Sequence, residues 1–76
     1  MKREDLERYL GEMVEVIISD GSTYRGCLRK TGDQMFKDNP NLYIPKNHYF
    51  LTDTKDSKNC ISCMFRSSHV KRLVKR

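Results

Sequence analysis

The chain has 76 residues and a net charge of +5, a length that allows one domain and no more. Hydrophobic residues are 37% and charged residues 33%, a balance that fits a small soluble globular domain and excludes a disordered chain. The longest uncharged apolar run, Val16 to Ile18, excludes an apolar membrane span.

Residues 2–10 read as a short helix, because Leu6, Tyr9 and Leu10 fall at i, i+3 and i+4 and form one apolar stripe. Glu4 and Arg8 stand four apart in the orientation that favours an ion pair, and Gly11 suits the position just past the C-cap. A helix this short does not hold alone in water, so it is expected to lie on the open end of a sheet. Residues 13–19 alternate and read as a strand; Asp20-Gly21 is a turn, and residues 23–30 alternate again. A two-residue loop would place Val14, Val16 and Ile18 on one face with Thr23, Arg25 and Cys27. A three-residue loop, with Gly21 at positive φ, groups them with Tyr24 and Leu28 instead. Burial of the apolar set selects that second register. Gly26 in mid-strand predicts a sharp bend or a close backbone approach.

Gly32, Pro40 and Pro45 punctuate residues 31–47, which excludes a central strand there and leaves Leu42-Tyr43-Ile44 as a short edge piece or a loop anchor. His48 to Thr52 reads as a strand and Asp53 to Asn59 as a polar loop. Ile61, Cys63 and Phe65 alternate with Ser62, Met64 and Arg66 as a further strand, and Ser67-Ser68 is a turn. Residues 70–75 fit a strand with Val70, Arg72 and Val74 on one side. They fit a helical turn with Val70, Leu73 and Val74 equally well. The fold class is therefore mostly β, with a single domain over residues 1–76. A core of this size supplies only roughly 3–5 kcal/mol, so a partner subunit or a staple is expected.

The charge is uneven. Residues 66–76 hold Arg66, Lys71, Arg72, Lys75 and Arg76 with no acid, whereas residues 1–65 are neutral overall. Such a block attracts phosphate by counterion release. Phe65, His69, Val70 and Val74 interleave with it, and Tyr43, His48, Tyr49 and Phe50 are candidate stacking surfaces for bases. Cys60 and Cys63 suggest zinc, with Cys27, His48 and His69 as further ligands. On an alternating strand, however, residues 60 and 63 face opposite ways, and no second such pair exists. Buried thiols are the better reading, and no metal or cofactor is expected. Neither a phosphate-cradling loop nor a dinucleotide fingerprint is present, and no third group orients a Cys–His pair, so the chain does not read as an enzyme. An odd number of cysteines and the absence of a signal-peptide pattern point to the cytoplasm.

The stretch Tyr9-Leu10-Gly11-x-x-Val14-x-Val16-x-Ile18-x-Asp20-Gly21-x-x-Tyr24-x-Gly26-x-Leu28 resembles the first motif of the Sm-like (LSm) family. Met64-Phe65-Arg66-Ser67-Ser68-His69-Val70 is similar to the second. The resemblance implies a short N-terminal helix on a strongly bent five-stranded antiparallel Sm-like (SH3-like) barrel, with an inserted loop around residues 31–59. It also implies a homo-oligomeric ring of six or seven subunits, joined through the last two strands, that binds single-stranded RNA. By the same resemblance Arg66 matches the Arg of the second motif, Met35 the Met after the second strand, and Gln34 the stacking position. Gly32 replaces the usual Asp, Phe36 the base-reading Asn and Ser67 the usual Gly. These departures imply little preference for oligo-U, with Phe36 left to stack on a base. The RNA-binding set is then Gln34, Met35, Phe36, Arg66 and Ser67, with Lys71, Arg72, Lys75 and Arg76 on phosphates. Two other readings compete: a ring or barrel of the same fold that serves as a protein-interaction or assembly scaffold, and a monomeric Tudor- or SH3-like module.

Overall fold

A computed structural model describes residues 1–76. Helix α1 spans Arg3–Glu7, and four strands follow: β1 Met13–Ile18, β2 Thr23–Lys30, β3 Tyr49–Thr52 and β4 Val70–Lys75. They form one antiparallel sheet in the order β3-β2-β1-β4. A 3-10 turn at Gln34–Phe36 and a one-turn helix α2 at Pro40–Tyr43 lie between β2 and β3, and a second 3-10 turn, Ser67–His69, precedes β4.

The β1–β2 register follows the burial argument. Val14 pairs with Gly26 and Val16 with Tyr24, and Gly21 takes φ +92°. Val14, Val16 and Ile18 are buried with Leu28, and Tyr24 packs at their margin. Gly26 is a site of close approach. A Cβ there would overlap the carbonyl oxygen of Thr52 and stand 3.0 Å from Ile61 Cδ1, so any larger residue would push β2 away from the chain crossing it.

Helix α1 is shorter than the apolar stripe predicts. It ends at Glu7 because the chain turns to join the sheet: the Gly11 amide donates to the Leu28 carbonyl at 2.9 Å, and Leu28 donates back to Glu12 at 3.0 Å. Leu6 is fully buried, and Tyr9 and Leu10 pack on the core from this turn rather than from a helix. Arg8 thus falls outside the helix, and the expected Glu4–Arg8 pair is not formed. Glu7 instead ties α1 down. Its Oε2 accepts from Lys30 Nζ at 2.7 Å and from the Tyr49 hydroxyl at 2.6 Å. The Lys30 bond, and then the Tyr49 bond, hold the Glu7 carboxyl below its ordinary range, while burial, with Glu7 second, pushes the Tyr49 hydroxyl upward.

All four residues of β3 are buried, because each face of the strand is covered. Tyr49 and Leu51 enter the main core with Leu6, Val14, Val16, Ile18, Leu28, Phe65 and Val70. Phe50, on the other face, packs with Phe36 and Leu42 in a second small cluster, the two rings edge to face at 5.0 Å. The residues between β2 and β3 are therefore a cover for Phe50. Asp33 and Asn39 start its two turns by accepting from the amides of Met35 and Asn41, and Pro40 sits at the first helical position. Leu42 is the anchor of this segment, not an edge strand.

The strand expected over residues 61–66 does not form. Two isolated bridges, Thr52–Cys60 and Tyr49–Phe65, pin the ends of the segment beside β3. Between them the Leu51 amide donates to the Ser62 hydroxyl at 2.9 Å in place of a backbone partner. The regular sheet thus has four strands, and the fifth strand and barrel closure are not part of it. Residues 70–75 are a strand, not a helical turn.

Candidate nucleic-acid interface

β4 carries a bulge. Ile17 faces Arg72, but Ile18 faces Val70, so Lys71 is the extra residue. The bulge turns Val70 into the core, where it is 3% exposed, and leaves Lys71 and Arg72 both in solvent. Regular alternation would have turned one of these two cations inward. β4 is also the last strand in the order, so one of its edges is open. Arg66 is exposed as well, one 3-10 turn before β4: its carbonyl accepts from the His69 amide, and the His69 carbonyl accepts from the Ser19 amide. Arg66, Lys71 and Arg72 have no acidic partner.

The end of the basic block behaves differently. Lys75 Nζ lies 3.4 Å from Glu12, and Arg76 donates to Glu15 Oε1 at 2.9 Å. Glu15 also receives Arg25 at 2.5 Å. The Arg25 bond, followed by Arg76, lowers the Glu15 carboxyl from its ordinary value. Two of the five cations read as one phosphate-binding block are therefore already partnered by acids of the β1 region.

The residues expected around the base divide. Phe36 is 1% exposed and locked against Phe50, so it has no free face for stacking. Met35 packs on the same cluster, and Gln34 is exposed with its Nε2 donating to the Tyr43 hydroxyl at 3.3 Å. No hydrogen bond joins these three to Arg66 or half-buried Ser67, and Phe36 and Phe65 belong to separate clusters. Among the proposed stacking aromatics, Tyr49 and Phe50 are fully buried and unavailable to a base. His48 and Tyr43 are half-buried. The His48 ring bonds the Lys46 carbonyl through Nδ1 at 2.7 Å, and Thr31 clasps the His48 backbone at the base of the inserted segment.

Tyr43 belongs to a surface cavity of about 460 Å³ that residue types alone did not mark out. Its walls come from both ends of the insertion, near Lys30 and near Lys46, and no sequence window spans both. The thiols of Cys27, Cys60 and Cys63 are free, but only Cys27 is buried; Cys60 is half-buried and Cys63 exposed, so the pair is not the buried one expected. Cys60 and Cys63 do not sit on a regular strand, so the strand-phase argument against a shared ion does not hold, yet no three His, Cys, Asp or Glu side chains converge anywhere. No helix is long and apolar enough to cross a membrane. Comparison with protein-family models, with curated proteins and with solved structures finds no significant match.

Proposed function

We propose that this chain is a divergent Sm-like protein that assembles into a cytoplasmic homo-oligomeric ring of six or seven subunits and binds single-stranded RNA. The observation that carries the reading is β4: a C-terminal strand that returns to β1, with one open edge and two unpartnered cations lifted out by a bulge. In this reading residues 60–65 act as an irregular fifth strand beside β3 and close a bent barrel. The bridges at Cys60 and Phe65 and the glycine crossing at Gly26 support that closure. The open edge of β4 then pairs with the 60–65 edge of a neighbouring subunit, by contacts that repeat head to tail until the ring closes. Lys71 and Arg72 face phosphates and Arg66 the base, whereas Lys75 and Arg76 contribute less because Glu12 and Glu15 already hold them.

The test is a titration of oligo-A and oligo-U at two salt concentrations. Both are expected to bind alike, with affinity falling steeply as salt rises. A strong preference for oligo-U would contradict the altered pocket. Burial of Phe36 is the one observation that favours the assembly-scaffold reading. Absence of binding to either oligomer at low salt would put that reading in place of this one.

A further inference from the structure

We infer that the inserted segment carries a nucleotide site of its own, in the cavity between the end of β2 and the turn after α2. Lys30, Gly32, Tyr43, Ile44, Pro45 and Lys46 line it, and its volume of about 460 Å³ is within the range of small-ligand pockets. Half-buried Tyr43 and Pro45 give it a ring and a flat apolar wall, and Ile44 beside them is 70% exposed.

The wall is fixed from behind. Leu42 is buried against Phe36 and Phe50, and its neighbour Tyr43 is braced by Gln34. The rim is cationic. Lys30 spends its charge on Glu7, and Arg3, bonded to the Asn47 side chain at 2.9 Å, also lies near the Glu7 carboxylate, which leaves Lys46 as the lining cation with no acidic partner. An aromatic and apolar wall beside an unneutralised cation suits a planar, anionic ligand: a base against Tyr43 with its phosphate toward Lys46. The inference rests on the RNA-binding reading for its natural source, a nucleotide within a strand. The same chemistry also admits a free mononucleotide. It relocates base contact from buried Phe36 to Tyr43.

Two readouts on the intact protein test it. Amide chemical shifts are followed while AMP or UMP is added, and oligo-A affinity is measured for wild type, Lys46→Glu, Tyr43→Ala and Tyr43→Phe. The Lys46 side chain is exposed and makes no hydrogen bond, so its replacement leaves the fold intact. The expected result is that the mononucleotides shift Thr31, Gly32 and residues 43–47, and that Lys46→Glu removes those shifts. Tyr43→Ala and Lys46→Glu each weaken the oligonucleotide about tenfold, while Tyr43→Phe, which keeps the ring, stays near wild type. Mononucleotide shifts in the cavity without oligonucleotide binding would uphold the site with a free nucleotide as its source and overturn the RNA-binding reading alone. Tight oligonucleotide binding that neither Lys46→Glu nor Tyr43→Ala weakens would overturn the site and leave RNA binding standing. Shifts elsewhere, or an acidic peptide that shifts these amides when nucleotides do not, would also overturn it.

Discussion

Phe36 shows how a residue's neighbours decide its chemistry. The Sm-like resemblance sets it where a base-reading Asn is expected, a ring offered to a base, yet Phe50 claims that ring from across the chain. Phe36→Ala is therefore expected to cost stability, about 3–5 kcal/mol for a buried aromatic, read by denaturant unfolding. A loss of RNA affinity with unchanged stability would show that Phe36 faces ligand after all. Glu7 makes a second residue-scale prediction. Hydrogen bonds from Lys30 and Tyr49 lower its folded-state carboxyl below the ordinary value of 4.5. The stability it contributes is complete above that ordinary value and is lost as pH falls through the lowered one. Melting temperature is thus expected to drop less on acidification in Glu7→Gln than in wild type, from a lower start at neutral pH. Equal drops would contradict the role of the Glu7 cluster.

At the scale of elements, the legible parts were those in which one physical constraint acts alone. The β1–β2 hairpin could be registered to the residue because a one-residue slip would expose Val14, Val16 and Ile18 together. Gly26 announced a close approach, and Gly26→Ala is expected to cost about 1–3 kcal/mol by overpacking against Thr52, read as a lower melting temperature. The illegible parts each involve two constraints. In β4 the bulge at Lys71 turns Val70 and Leu73 inward at a spacing of three, which in sequence is indistinguishable from a helix. The turns capped by Asp33 and by Asn39 are each only one turn long, too short for periodicity to register. The 60–65 segment alternates like a strand, yet the Ser62 hydroxyl takes a backbone partner and breaks the ladder. Of the candidate interface, the tail's cations were readable but not their pairing with Glu12 and Glu15. Replacing Lys71 and Arg72 by Ala is accordingly expected to flatten the salt dependence of RNA binding by about one unit of slope per lost phosphate contact. Replacing Lys75 and Arg76 should change it less, and the reverse order would contradict the pairing.

At the scale of the molecule, a four-stranded sheet has an open β4 edge and a broken 60–65 edge, both of which the proposed ring would pair. Three unpartnered cations stand on and beside that open edge, so the proposed assembly and the proposed RNA binding would draw on neighbouring surfaces. Sedimentation velocity of the purified chain at tens of micromolar, with a labelled single-stranded oligoribonucleotide present, reads both in one run. The label is expected to travel with a closed species of six or seven chains. A lone 9.0 kDa species with the label sedimenting free would contradict it.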